Sequence, residues 1–302
     1  MNFLKGFKTI IISFIIFSGV SCDKNEEDSI LDISVILKGE SFTLPFVEGE
    51  AIQTAKETKY NIEIIAHRGA SSYEPENSLL SFKKAFDLNS DAIELDLWIS
   101  KDDSIMVFHD RDTKLITGES YDIPNTNANI LRTLNIGKGE KMPFLNEVFQ
   151  TLPAGKKIYL DIKWNAHHNS KVNPKSITNL LNIIEKHNRL NDTRLTCFDA
   201  DYLNKVKERK PELECYWITS DSNSNNQIFS VLERYNFNGV VARYSQLNAE
   251  LNSYLKLNNK NLYVYVLYSS SDAIFYYKNF NLKGIYTGKP DLIRKGFEEY
   301  FN

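Results

Sequence analysis

From Ile62 onward the chain alternates short apolar runs with longer stretches whose apolar residues recur every three or four positions. The short runs, at 62–66, 92–99, 105–108, 158–162, 194–198, 215–218, 239–242, 262–267 and 284–286, are predicted strands. Between them, Leu79, Phe82, Ala85 and Phe86 give the stripe of a helix beginning at Asn77. Pro174 opens a second helical run through Ile177, Leu180, Leu181 and Ile184 to about His187. Asp199 is placed to cap a helix over 200–207, and Asn225 leads another to Tyr235.

Continuous apolar strands separated by helices favour a parallel sheet covered by helices. About eight such steps over roughly 240 residues fit an α/β fold closed into a (β/α)8 barrel better than an open sheet. One gap, 99–105, is too short for a parallel crossover and predicts a hairpin turn about Asp102 and Asp103, which carries His109 toward Glu94 and Asp96. Residues 110–143, rich in Asp, Thr, Asn and Gly, read as a loop excursion over the barrel mouth. Residues 33–37 and 41–46 read either as a short hairpin packed on the barrel or as an ordered part of a tether.

The N-terminus changes the picture of where the barrel resides. Residues 1–8 hold two lysines, 9–20 are mostly apolar, and Gly19-Val20-Ser21-Cys22 closes the run. This reads as a signal peptide over 1–21, since the apolar run falls short of the roughly 20 residues of a spanning helix. The small-residue end at a cysteine resembles a bacterial lipoprotein signal, which implies lipidation of Cys22 and a membrane anchor at the bacterial cell envelope, on its periplasmic or cell-surface side. Simple secretion with an incidental cysteine is the alternative. Residues 22–60 then form the lipid-anchored tether and N-terminal extension, and 61–302 the barrel domain. The acidic stretch 23–28 is a solvated linker that also resembles surface-export signals of some lipoproteins. Cys197 and Cys215 are expected as buried thiols rather than a disulfide, one near a strand end and the other near a strand start. A net charge of -3 and a pI near 6.0 exclude the basic footprint of a nucleic-acid binder.

The chemistry concentrates at predicted strand ends, which line the active face of such a barrel. His67 and Arg68 leave the first strand, His109 the 105–108 strand, and Asp161 and Lys163 the 158–162 strand. Glu94 and Asp96 share one face of theirs because alternate residues of a strand point the same way, while Ile93, Leu95 and Leu97 occupy the other. Glu94, Asp96 and Asp161 are three hard oxygen donors suited to one divalent cation, Ca2+ or Mg2+. Arg68 and Lys163 are fixed cations able to bind phosphate oxygens, and His67 and His109 form an acid/base pair. Singly, a histidine at a strand end is usually a hydrogen-bonded loop residue and Glu-Leu-Asp the polar face of an edge strand; their coincidence at one end of neighbouring strands points to a site.

These residues resemble the glycerophosphodiester phosphodiesterase family. Its pattern of His-Arg-Gly, Pro-Glu-Asn-Thr, Glu-Xaa-Asp and His-Asp is matched by His67-Arg68-Gly69, Pro75-Glu76-Asn77-Ser78, Glu94-Leu95-Asp96 and His109-Asp110. The likeness runs on through 142–148, Leu160-Asp161-Ile162-Lys163 and Cys197-Phe198-Asp199. It implies a TIM barrel of the phospholipase-C-like phosphodiesterase type, a divalent cation on Glu94, Asp96 and Asp161, and His67 and His109 as acid and base, with Glu76 and Asn77 in support. The implied reaction is metal-dependent hydrolysis of a small-molecule glycerophosphodiester to glycerol 3-phosphate and an alcohol, with attack by the glycerol hydroxyl giving a cyclic intermediate. The chain departs from the pattern in having Asp161 for a glutamate, Ser78 for a threonine, 262–268 for a Trp-Thr-Val-Asn strand, and Thr287-Gly288-Lys289-Pro290 for Thr-Asp-Xaa-Pro.

Two other readings stay open: a lysophospholipid or phospholipase-D-like phosphodiesterase on the same barrel, and a surface lipoprotein that binds phosphodiesters without cleaving them. His167 and His168 read as surface loop residues, and Trp164, Trp217 and Tyr265 as an apolar wall for a choline-like or acyl group.

Overall fold

A computed structural model of the chain describes residues 60–163 and 174–301, with the backbone of a small antiparallel hairpin, β1 (Val35–Leu37) and β2 (Glu40–Phe42). Of the two readings of this stretch, it is hairpin pairing that the backbone shows, with Val35 opposite Phe42 and Leu37 opposite Glu40. The expected signal segment, Cys22, the expected acidic linker, Trp164, His167 and His168 lie outside the described residues.

The described residues from Tyr60 onward form a compact unit, a closed barrel. Its parallel staves are β3 (Glu63–Ala66), β4 (Ala92–Ile99), β6 (Lys157–Ile162), β7 (Thr193–Cys197), β8 (Glu214–Ile218), β9 (Gly239–Arg243), β10 (Asn261–Tyr265) and β11 (Leu282–Thr287). β3 pairs with both β11 and β4, which closes the ring and leaves no free edge among these eight. The extra strand, β5 (Ile105–Val107), folds back antiparallel on the outer half of β4, pairing Leu97 with Val107 and Ile99 with Ile105. Its turn carries Asp103 at φ +62, the hairpin that the short gap requires.

Helices α1 (Leu79–Asp87), α4 (Leu145–Thr151), α5 (Pro174–Lys186), α6 (Ala200–Arg209), α7 (Asn225–Arg234), α8 (Ala249–Leu257), α9 (Ser270–Asn279) and α10 (Pro290–Phe301) follow the staves in turn; α2 (Lys114–Thr117) and α3 (Ala128–Leu131) lie in the long excursion. Ser78, Asp199, Ser224, Asn248 and Ser269 each cap a helix by accepting the backbone N–H three residues on. The first helix starts at Leu79 rather than Asn77, because Asn77 sits at φ +55 and turns the chain. No helix among the described residues is long and apolar enough to cross a membrane.

Strand alternation sets two environments. Ile93, Leu95 and Leu97, with Leu160, Ile162, Leu195, Val240 and Val264, join the main core between strands and helices. The opposite faces fill the barrel with Tyr159, Tyr216, Tyr263 and Tyr286 in edge-on and tilted contact, ring centroids 4.9–6.4 Å apart. Gly284 makes this possible: a Cβ there would lie 2.7 Å from the Tyr263 ring. Toward the N-terminal end of the strands, the Tyr159 hydroxyl donates to Glu63 Oε2 (3.0 Å), and Lys157 Nζ lies 3.2 Å from Glu63 Oε1.

Residues 110–143 correct one expectation. They are irregular, but Ile123, Leu131, Leu134 and Met142 bury themselves against Trp98, Met106 and Phe108 of the β4–β5 hairpin as a second core. The excursion is thus packed on the side of the barrel; none of its residues lines the cavity at the mouth.

Candidate active site

At the C-terminal ends of the strands lies a cavity of about 520 Å³ lined by His67, Arg68, Glu94, His109, Asp161 and Lys163 on one side. The opposite wall is Phe198, Ile218, Val241, Tyr265, Val266 and Tyr268, with Arg243 and Tyr244 at the rim. Asp96 stands behind the charged side, joined to it through Arg68 and Lys163.

The carboxylates meet because of register. Asp96 and Asp161 are direct partners on the adjacent parallel strands β4 and β6, and Glu94 is two residues earlier on the same face. Like charges placed opposite each other repel, so this register requires compensation. Lys163 Nζ supplies part of it, 2.5 Å from Asp161 Oδ2 and 3.0 Å from Asp96 Oδ1. Arg68 supplies more: its Nε lies 3.3 Å from Asp96 Oδ2, while NH1 donates to both oxygens of Glu76 at 2.9 and 3.1 Å. The Arg68 backbone N–H donates to Glu94 Oε2 at 2.9 Å. Asn77 clamps Asp96 from behind, donating through its amide to Oδ2 and accepting the Asp96 backbone N–H.

Local backbone geometry aims these groups. Arg68 adopts φ +56 and Gly69 φ +76, and a Cβ on Gly69 would collide with Ser81 of α1. The His-Arg-Gly turn is therefore pressed against the first helix, whose Ser81 hydroxyl donates to the Arg68 carbonyl.

The electrostatics follow from burial. Desolvation, then the charges of Asp96 and Asp161, push the Glu94 carboxyl well above its usual range. Burial acts the same way on Asp96, yet the Lys163 and Arg68 cations outweigh it and hold Asp96 low. Burial raises Asp161 despite Lys163. Burial and the adjacent Arg68 cation push the His67 imidazole down to about 3, which favours its neutral form. His67 Nε2 lies 3.9 Å from Glu94 Oε2. His109 is held from two sides: Nδ1 is 2.6 Å from Asp110 Oδ1, and its carbonyl accepts the Trp98 indole N–H.

Glu94, Asp96 and Asp161 each offer an oxygen within 4.8 Å of the others, and Asp161 Oδ1 is buried with no hydrogen-bond partner. Three hard donors with an orphaned oxygen and an incompletely balanced charge fit a metal ion. The shorter Asp161 thus still reaches the cluster.

The charged residues singled out by sequence, His67, Arg68, Glu94, Asp96, His109, Asp161 and Lys163, are all brought to this one place, with Glu76 and Asn77 as its supports. Trp217 corrects the expected apolar wall: it is a core residue whose indole N–H donates to the Phe198 carbonyl, and it does not line the cavity, whereas Tyr265 does. Sequence reasoning missed Asp110 as the partner of His109, although the two are adjacent in the motif. It also missed Arg243, Tyr244 and Tyr286, which reach the cavity only through barrel closure. Cys197 and Cys215 are buried free thiols, as expected.

Comparison with known proteins agrees with this geometry. Residues 67–292 match the glycerophosphoryl diester phosphodiesterase family. A glycerophosphodiester phosphodiesterase of Bacillus subtilis is 26% identical over 251 residues, covering 76% of this chain and 85% of the relative. Human lysophospholipase D GDPD1 is 31% identical over 123 residues, 36% of this chain and 39% of that protein. The solved structure of an Oleispira antarctica phosphodiesterase, in complex with the product sn-glycerol-3-phosphate, shares the fold with a TM-score of 0.71 at 22% identity, covering 79% of this chain and 97% of the other. With the family pattern spanning most of the barrel and its residues gathered in one cavity, this chain belongs to the glycerophosphoryl diester phosphodiesterase family.

Proposed function

We propose that the protein hydrolyses glycerophosphodiesters to glycerol 3-phosphate and an alcohol. The observation that carries this reading is the convergence of His67 and His109 on one cavity with the buried cluster of Glu94, Asp96 and Asp161. A divalent ion, Ca2+ or Mg2+, held by those three carboxylates would supply Lewis-acid polarisation of the phosphoryl oxygens. Arg68 and Lys163 orient the phosphate from the same side.

His67, partly buried at the cavity wall beside Glu94, takes the proton from the glycerol hydroxyl as its oxygen forms a bond to phosphorus. His109, oriented by Asp110, gives a proton to the alcohol oxygen as its bond to phosphorus breaks. Water then opens the cyclic phosphodiester with the proton transfers reversed, leaving glycerol 3-phosphate. The test is turnover of glycerophosphocholine by the native protein and by His67→Ala and His109→Ala. Losses of about 10²–10⁴-fold are expected, and near-native turnover by either variant refutes its role.

A second reading, hydrolysis of lysophospholipids, is supported by the apolar wall of Phe198, Ile218, Val241, Tyr265 and Val266, which can bury an acyl chain. Parallel assays on lysophosphatidylcholine and glycerophosphocholine separate the two. We also propose attachment to the cell envelope through a lipid on Cys22, supported by the sequence around it; radiolabelled fatty acid should enter the native chain and not Cys22→Ser.

A further inference from the structure

Four tyrosines fill the barrel, and three of their hydroxyls are bonded within it. Tyr159 donates to Glu63 and lies 3.1 Å from the Tyr263 hydroxyl, and Tyr216 donates to Glu214. The fourth, Tyr286, is 3% exposed, and its hydroxyl is buried with no hydrogen-bond partner in the protein. It is also the one of the four that lines the active cavity. Two other hydroxyl groups of the cavity lining are engaged: half-buried Tyr265 donates to the Thr219 carbonyl at 2.9 Å and buried Thr196 to the Leu160 carbonyl at 3.4 Å.

The Tyr286 ring is fixed. Its centroid is 5.7 Å from that of Tyr159 and 6.4 Å from that of Tyr263, and on β11 it pairs in register with Ile65, two residues before His67. A rigid ring that leaves a buried hydroxyl unpaired at the floor of a reactive cavity holds a donor in reserve for what enters the cavity.

We propose that Tyr286 is a substrate-binding residue, its hydroxyl donating a hydrogen bond to an oxygen of the bound glycerophosphodiester, either on phosphorus or on the glycerol. The assignment rests on the cavity being the glycerophosphodiester site proposed above. The recognised chemistry is an oxygen acceptor beside the phosphate, and it is read by a neutral donor that adds to the Arg68 and Lys163 cations of the same cavity.

Tyr286→Phe removes this hydroxyl and keeps the ring. We expect kcat/KM for glycerophosphocholine to fall at least ten-fold, with the melting temperature equal to the native value or above it, because no protein bond is lost. Calorimetry with inorganic phosphate and with glycerol 3-phosphate locates the contact. Weakening of both ligands assigns it to phosphate, and weakening of glycerol 3-phosphate alone assigns it to glycerol. Native binding of both ligands together with native turnover overturns the proposal. So does a clear fall in melting temperature, which shows the hydroxyl to be satisfied inside the fold. If the native protein turns over no glycerophosphodiester, the functional reading fails, and the two binding measurements still decide whether Tyr286 contacts a phosphate ligand.

Discussion

Asn77 holds Asp96 at two points: its side-chain amide donates to Asp96 Oδ2 at 2.8 Å, and its carbonyl oxygen accepts the Asp96 backbone N–H at 3.1 Å. Both residues are buried, so nothing in solvent can replace these bonds. Asn77→Gly keeps the left-handed backbone at φ +55 and deletes the clamp. It should destabilise the protein by about 1–3 kcal/mol. The divalent-ion concentration giving half-maximal activity should rise about ten-fold, a change corresponding to about 1.4 kcal/mol. Denaturation curves and a metal titration of activity check both numbers.

The carboxylate cluster predicts the response to chelation. Protein stripped with EDTA should be inactive and should recover on addition of Ca2+ or Mg2+. At saturating ion the melting temperature should rise by about 5–10 °C. Asp161→Asn, which removes the charge of the acid with the orphaned oxygen, should lose both the recovery and the thermal shift. A full shift in this variant would remove Asp161 from the metal set.

Asp110 is within 2.6 Å of His109 Nδ1 and orients the ring. Asp110→Asn should reduce kcat about 10–100-fold with little change in KM, since the residue fixes a proton-transfer group rather than binding substrate. Steady-state kinetics on glycerophosphocholine separate the two parameters, and a selective rise in KM would argue against this role.

On the side of the tyrosine layer toward the N-terminal ends of the strands, Tyr159 ties Glu63 to that layer. Tyr159→Phe should cost about 1–3 kcal/mol, because Glu63 is left with one fewer donor in a buried setting. Urea denaturation reads the loss, while turnover per folded molecule should stay near native.

The thiols give a pH-dependent test. Burial pushes Cys215 up to about 12 and Cys197 well above its ordinary value. Unfolded cysteine loses its proton near pH 8.5, so between there and pH 12 the folded chain keeps a proton that the unfolded chain has lost. The contribution of these groups to stability is therefore complete below pH 8.5 and falls as pH rises. Iodoacetamide at pH 8 should leave both residues unmodified in the native protein and label both in urea, as read by peptide mass spectrometry.

Much of the architecture was legible because it is written in local periodicity. Alternating apolar runs gave the staves, the short 99–105 gap gave the reversed strand β5, and Asp199 announced the helix it caps. The parity of Glu94 and Asp96 on one strand sufficed to place them on one face. The helix start at Asn77 misled, because a residue suited to a helix entry is here turned to φ +55 to reach Asp96. Residues 110–143 misled for a related reason: their scattered apolar positions have no period, and they become a core only against Trp98, Met106 and Phe108.

The sequence by itself therefore determined the strand order, four of the helices between the strands, the charged residues of the site and the family pattern that joins them. Only the tertiary structure decided that Asp161 lies directly beside Asp96, that Lys163 sits between them, that Trp217 turns into the core and that Tyr286 faces the cavity with its hydroxyl unpaired. The physical reason is that side-chain alternation is a property of one strand, whereas register, barrel closure and the filling of the interior depend on strands far apart in the chain.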